Sequence, residues 1–418
     1  MNRRICSAGL LLLLCASVLE AQEYKFHPGA EIRPRILWDG GYQSPHNDGS
    51  IQQVYISQRT RLNADFSSEK LKMYVSVQDV RIWGDDNSFK ETGMLGNTES
   101  LMLHQGWFRV AFDQHWALKA GLQILAYDDQ RILSSRNWND YQVTYDALVL
   151  QSERNNSCID LVISWNAQTA QDFNYSEKKF KTLDFIRYEK NWNDFTLAGI
   201  SLVTGNTLND SVEEMYLRGT WGLNFNYLIN GFQIRSSGYF QHHINKVGGQ
   251  VSAFCFSVYA GNTFLREKML AGAGLDLVSG NEESTGTVNH RFDLLYGARH
   301  RYYGAMDYFS KMPDQGLEDF YLNCSFIPNG KLDLQACYHW FFLDKPKNIQ
   351  TAGGKQQRQY LGGELDLQIK RKVQKAINLE AGYSFFSTTP LLKTIKGVES
   401  SDRLLPWFFY LMVEVKVM

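Results

Sequence analysis

Between Lys331 and Leu343 every second residue is apolar. Leu332, Leu334, Ala336, Tyr338 and Trp340 fall on one face of an extended strand, and Asp333, Gln335, Cys337 and His339 on the other. The same division recurs in 359–369, where Leu361, Leu365, Leu367 and Ile369 oppose Glu364, Asp366 and Gln368. In 406–417, Trp407, Phe409, Leu411, Val413, Val415 and Val417 oppose Glu414 and Lys416. Runs of about ten to fifteen residues suit a tilted strand crossing a bilayer, and exceed the usual strand of a soluble sandwich.

Comparable runs cover 23–38, 51–66, 69–83, 100–112, 115–127, 140–152, 158–166, 180–190, 194–204, 214–226, 229–241, 250–260, 264–278, 317–327, 331–343, 359–369, 376–386 and 405–417. Their connections alternate between long and short. Asp39 to Ser50, Gly84 to Glu99, Asp128 to Asn139, Ala167 to Lys179 and Ser279 to Gly316 are long; Ser67-Ser68, Asp113-Gln114, Glu153 to Ser157, Gly261 to Thr263 and Pro328 to Gly330 are short. A sandwich has no reason to do this, whereas an outer-membrane barrel closes its periplasmic end with tight turns and carries its longer loops outside. The expected fold is therefore all-β: a transmembrane antiparallel β-barrel of about eighteen strands, with both chain ends on the periplasmic side. Two features fit less well. The runs 180–190 and 194–204 alternate poorly, and the chain ends on Met418 where such barrels commonly place an aromatic, although Phe408, Phe409 and Tyr410 lie close by.

Composition agrees with this reading. Aromatics are 14% of the chain and only 8 of 418 residues are Pro, so long stretches lack the residue that strand ladders tolerate least. Mean hydropathy of -0.34 excludes a bundle of membrane helices, and a net charge of -1 excludes a uniformly basic nucleic-acid binder. Residues 1–21, with Arg3 and Arg4 before an apolar run from Gly9 to Leu19, read as a secretory signal, leaving 22–418 as one barrel domain. Cys158, Cys255, Cys324 and Cys337 are too scattered for a disulfide framework. Alternation sends Cys324 and Cys337 to opposite faces, so reduced, buried or lipid-facing thiols are expected. No metal-ligand spacing occurs and no cofactor is expected.

If the apolar face meets lipid, the other lines the interior and carries many arginines. Arg33 and Arg35 alternate with Ile32, Pro34 and Ile36; Arg59 and Arg61 share their side with Asp65; Arg109, Arg218 and Arg235 follow from their apolar neighbours. A change of parity between Val75/Val77 and Val80/Ile82 suggests a bulge near Gln78-Asp79 that turns Asp79 and Arg81 inward. Arg at mid-bilayer on the lipid face would cost roughly 2 to 4 kcal/mol each, so an inward wall is expected. Such a wall could bind a polyanion through two-pronged guanidinium contacts, or could neutralise Asp65, Asp79, Asp146, Glu364, Asp366 and Glu380 across a packed interior.

The stretches RTRLNADF, VSVQDVRIWGDD, LKAGLQILAYDDQRILSSRNWNDYQVTYDAL, LREKMLAGAGLDLVSGN, RFDLLYGARHRYYGAMDYF and LGGELDLQIKR resemble, in order along the chain, the alginate export family of outer-membrane porins. The resemblance implies an eighteen-stranded barrel, a basic selectivity zone, and passage of an anionic uronate polysaccharide or oligosaccharide. It implicates Arg59, Arg61, Asp79, Arg81, Arg131, Arg136 and the loop Arg299-His300-Arg301; inside the longest connection, that loop could fold toward the pore as a gate or could equally be exposed surface. It also implies outer-membrane lipid as surroundings, periplasmic export or uptake partners, and a monomer. Gly121-Leu122-Gln123 departs from the family pattern, which favours an arginine between the glycine and the glutamine.

Two other classes compete. An enzyme could use Asp128-Asp129, Glu213-Glu214 or His242-His243, but no nucleophile elbow, metal-ligand helix or phosphate loop accompanies them, and no catalytic activity is expected. A pedestal could present Tyr302, Tyr303, Tyr308 and Phe309 to an external glycan, and a general anion or small-solute porin would need the basic wall alone.

Overall fold

The computed structural model describes residues 24–46, 51–84, 101–166, 180–207, 215–245, 249–283, 287–351, 354–398 and 405–417. The expected signal, most of the connections 84–99 and 167–179, and Glu213-Glu214 lie outside them. Eighteen antiparallel strands form the wall: β1 (Lys25–Gly40), β2 (Gln53–Ser67), β3 (Leu71–Ile82), β4 (Leu101–Ala111), β5 (Trp116–Gln123), β6 (Tyr145–Arg154), β7 (Ser157–Trp165), β8 (Thr182–Asn191) and β9 (Phe195–Thr207). They continue with β10 (Met215–Ile229), β11 (Phe232–His243), β12 (Gln250–Phe264), β13 (Met269–Val278), β14 (Leu317–Phe326), β15 (Leu332–Thr351), β16 (Gly354–Gln374), β17 (Ile377–Thr388) and β18 (Trp407–Val417). Each pairs with its chain neighbours, and β18 returns to β1, with Ala30 opposite Val417 and Gly40 opposite Trp407. That last ladder closes the sheet and removes its edges, the condition for a β structure to sit in lipid. A two-residue bridge strand, Val288–Asn289, lies parallel to the start of β12.

The tight turns have the chemistry their geometry needs. Asn155-Asn156 and Asn230-Gly231 hold both central residues at positive φ, the hairpin turn whose twist matches that of the flanking strands. A Cβ on Gly231 would lie 1.9 Å from Thr263 Oγ1, so this position also needs the missing side chain.

Ile32, Val54, Leu62, Ile163, Leu223, Leu322 and Ile369 are exposed on the outer face, the belt that lipid would cover. Aromatic residues edge it: Phe26–Phe66 and Trp192–Phe195 at the turn end, Trp38–Trp407 at the loop end. The apolar core is inside the barrel. Segments 124–144 and 287–316 fold into the bore at the loop end and bury Leu133, Met306, Tyr308 and Phe309 against Phe341, Leu361, Phe386 and Phe408. A short helix, α1 (Pro390–Lys396), capped by Thr389 and by Gly397 at φ 65°, adds Leu391 and Leu392 to that core.

Several sequence expectations change. The strands at 180–190 and 194–204 do alternate in burial, because their inward positions are filled by Leu183, Phe185, Ile200 and Leu202 packing on the in-folded core, which blurred the polar face. β12 runs on through Gly261–Thr263, and the turn falls at Leu265 to Lys268, where Leu265, Arg266 and Glu267 take positive φ. β15 and β16 extend past the rim as a tall hairpin, with the ladder interrupted between Phe341 and Lys347. The bulge expected at Gln78-Asp79 is absent: the β2–β3 ladder is continuous from Lys72 to Ile82, and the register shift falls instead between β3 and β4, where His104 is the additional residue.

Candidate functional site: the barrel interior

Arg33, Arg35, Arg59 and Arg61 do gather on the inner wall of β1 and β2, and all four are buried. The guanidiniums of Arg33, Arg35 and Arg59 meet the in-folded segment 124–144. Arg33 donates to Asp140 at 2.6 Å and to the Asn137 carbonyl at 2.7 Å; Arg35 donates to Asp140 at 3.0 Å and to the Trp138 carbonyl at 2.8 Å. Arg59 donates to Glu31 at 2.7 Å and to the Asn137 side chain at 3.1 Å. Arg61 forks onto Gln78 Oε1 at 3.0 and 2.8 Å. Trp138 is held between Arg35, 4.3 Å from its ring, and a stacked His300 at 3.9 Å; His300 in turn contacts Asp307 at 3.0 Å. This part of the wall is a docking plate for the constriction. Burial pushes the Asp140 carboxyl up, but the charges of Arg35 and Arg33, with the hydrogen bond from Arg33, outweigh it and hold it below the usual aspartate range.

Arg131 and Arg136 bind one in-folded segment to the other. Arg131 donates to Asp276 and Ser257, both at 2.8 Å, lies 3.1 Å from Asp129, and stacks 3.8 Å over the Tyr302 ring. Burial opposes its charge, yet Asp276, Tyr303 and Asp129 keep its basicity well above the ordinary value. Arg136 donates to the carbonyls of Leu295, Tyr296 and Gly297 at 3.0 to 3.1 Å. Arg299 is likewise spent on carbonyls, those of Ser310 and Leu295. On β16, Glu364 accepts from the Met306 amide at 2.7 Å and Asp366 from the Ala305 amide at 3.1 Å, tethering the second segment.

Asp79 and Arg81 are a correction. They stand opposite Thr60 and Gln58, which alternate with the inward Arg59 and Arg61, so they face outward near the loop end and pair with each other at 2.6 Å. Without a bulge in β3, parity carries them to the outside. Asp65 faces inward near the turn end, across from His27 and Tyr74, remote from the constriction. Arg218 pairs with Asp293 at 2.7 Å, and Arg109 reaches Gln151 at 3.5 Å.

Arg235 and Arg301 remain, both exposed and both lining a central cavity of about 750 Å³. Neither has an ion-pair partner among the described residues. Each lies by a tyrosine, Arg235 at 4.4 Å from the Tyr259 ring and Arg301 at 5.4 Å from that of Tyr302. Tyr321, Tyr410, Asn224, Asn323, Gln335 and Gln368 complete a polar, aromatic lining, and a second cavity of about 390 Å³ toward the turn end shares Lys370 and Glu380 with it. Alternation placed Arg33, Arg35, Arg59, Arg61, Arg218 and Arg235 correctly, but it missed the buried Arg187 of β8, and it missed Asn137, Trp138 and Asp140, whose role depends on a loop folding back more than 100 residues away in sequence.

The acidic and histidine pairs have structural partners. Asp128 meets Arg187 at 2.7 Å, Asp129 accepts from Tyr239 at 2.8 Å, and His242 stacks on Trp221 at 4.0 Å.

A closed antiparallel barrel with an apolar outer belt, short turns at one end, long loops at the other and a polar cavity within is an integral outer-membrane channel. The model of the family described as "Alginate export" matches residues 45–404, and the chain belongs to that family. Among solved structures it is similar to Pseudomonas aeruginosa OpdL (TM-score 0.60, 13% identity, 94% of this chain and 99% of that one) and to Pseudomonas aeruginosa OpdQ (0.58, 12%, 94% and 98%). Acinetobacter baumannii OccAB4 is similar to the same degree (0.59, 11%, 95% and 99%). At these identities the likeness is one of fold. No curated protein matches the sequence.

Proposed function

We propose that the channel passes an anionic, uronate-type polysaccharide or oligosaccharide by passive diffusion, without covalent chemistry or a cofactor. The observation that carries this reading is the pair Arg235 and Arg301, each facing the central cavity beside a tyrosine ring with no carboxylate partner among the described residues. A guanidinium takes a carboxylate by paired hydrogen bonds and an aromatic face takes the apolar side of a sugar ring, so each Arg–Tyr pair offers both halves of a uronate contact. Two modest sites in series, followed by Lys370 toward the turn end, suit conduction better than one tight site. The barrel works as a monomer in outer-membrane lipid, with export or uptake partners meeting its periplasmic turns.

A cavity of about 750 Å³ matches the size range of small-molecule sites. This favours short oligosaccharides, and keeps a general small-anion channel as the second reading. Planar-bilayer recording in a salt gradient tests both. Anion-selective current blocked by uronate oligomers, with selectivity and block both weakened in Arg235→Gln and Arg301→Gln, supports the glycan channel. Selectivity without sugar block supports the small-anion channel, and an unchanged reversal potential in both variants removes these arginines from the path.

A further inference from the structure

Two residues beyond Cys337 on β15, His339 returns to the same inward face, and its Nε2 lies 3.1 Å from the Cys337 sulfur. The other ring nitrogen, Nδ1, is 2.8 Å from Oδ2 of Asp319 on neighbouring β14. Asp319 is fully buried and His339 nearly so, while Cys337 is half-buried and lines the central cavity. The imidazole is fixed by Phe341, stacked at 5.3 Å, and by Tyr321 at 5.5 Å. Asp366 comes within 3.7 Å of Nε2 from β16, beside Glu364, and the Arg131–Asp276 pair lies on the far side of Asp319. A sulfur nucleophile, an adjacent base and a buried carboxylate that orients the base are the three parts of an activated thiol.

The other cysteines lack this arrangement. Cys255 is buried, and Cys324, which borders the same cavity across from Ala336, has no imidazole among the described residues hydrogen-bonded to it. Cys158 neighbours Asp160 at 3.6 Å and Gln151 at 3.7 Å, and no imidazole among the described residues hydrogen-bonds it.

We propose that Cys337, His339 and Asp319 form a reactive thiol site on the channel wall that takes small anionic disulfides from the lumen and, once modified, narrows the bore. Arg301 and Arg235 line the same cavity and draw an anionic reagent to it. The exchange balances without another reactant. The Cys337 proton passes to His339 Nε2, the sulfur attacks one sulfur of the disulfide, a new S–S bond forms as the old one breaks, and the departing thiolate takes the proton from His339. The adduct stands in the cavity until a thiol reverses the reaction.

Glutathione disulfide, added to the folded full-length barrel, is the probe. Peptide mass mapping should show Cys337 modified roughly tenfold or more faster than Cys158 or Cys324. In a bilayer the same reagent should lower the current, dithiothreitol should restore it, and Cys337→Ser should conduct normally without responding. His339→Gln should slow the modification and shift its pH–rate profile, an effect that simple loss of packing would not produce. Equal rates at the three cysteines, or an unaltered profile in His339→Gln, overturns the proposal. Should His339→Gln fail to fold, the wild-type site rates and the Cys337→Ser current decide the matter by themselves.

Discussion

Arg33 and Arg35 stand two places apart on β1, and one carboxylate, Asp140, answers both. Removing one partner of a buried ion pair leaves the other charge uncompensated, at a cost of roughly 3 to 5 kcal/mol. Asp140→Asn should therefore destabilise the docked segment by that order, seen as a lower denaturant midpoint, and raise single-channel conductance as the constriction loosens. The pH response follows from the same group. Because its folded value lies below the ordinary aspartate value of about 3.9, the stabilisation is complete above that pH and is lost as pH falls through the lower, folded value. Conductance should thus hold steady from neutral pH to about 4 and rise below it; an increase already at pH 6 would point to another group. Arg81, by contrast, faces outward against Asp79, so Arg81→Glu should leave the reversal potential in a salt gradient unchanged. Parity alone decided which arginines point inward. It could not decide which of those meet a carboxylate, since Asp140 lies 107 residues from Arg33 and is brought there only by the returning loop.

The strands were legible because a pleated ladder imposes a two-residue period wherever one face meets lipid and the other does not. The in-folded segments were not, because a loop that packs inside a barrel follows no period. Segments 124–144 and 287–316 run side by side where Leu133 and Tyr296 form a parallel bridge, with Tyr296 donating to the Ile132 carbonyl at 2.9 Å and Ala298 to that of Gln130 at 2.9 Å. Gly304, at φ 82°, brings the second segment against β16, where a Cβ would lie 2.4 Å from Glu364 Oε2. Gly304→Ala combines a left-handed backbone with that clash and should release the tether at Ala305 and Met306. Flickering, larger openings in the single-channel record, with the barrel still folded by heat-modifiable gel migration, are the expected outcome; a quiet trace would mean that Arg131 and Arg136 hold the segment without the tether.

The wall closes through its own ladders. Each wall strand is hydrogen-bonded on both sides, from β1 round to β18 and back, so removing 291–312 should leave the heat-modifiable folded form intact while raising conductance several-fold. Loss of the folded form would show instead that the internal core of Met306, Tyr308 and Phe309 is needed to hold the wall. The alternating period, the rhythm of short and long connections and the export-family motifs were all local properties of the chain, and they sufficed for the barrel, its orientation and its family. Which arginines face the open cavity was decided only in three dimensions. An inward guanidinium is a docking point or a selectivity group according to whether a carboxylate or carbonyl returns to meet it. Segments 124–144 and 287–316 bring such partners to Arg33, Arg35, Arg136, Arg218 and Arg299, carry Arg131 to Asp276 on β13, and leave Arg235 and Arg301 facing the cavity.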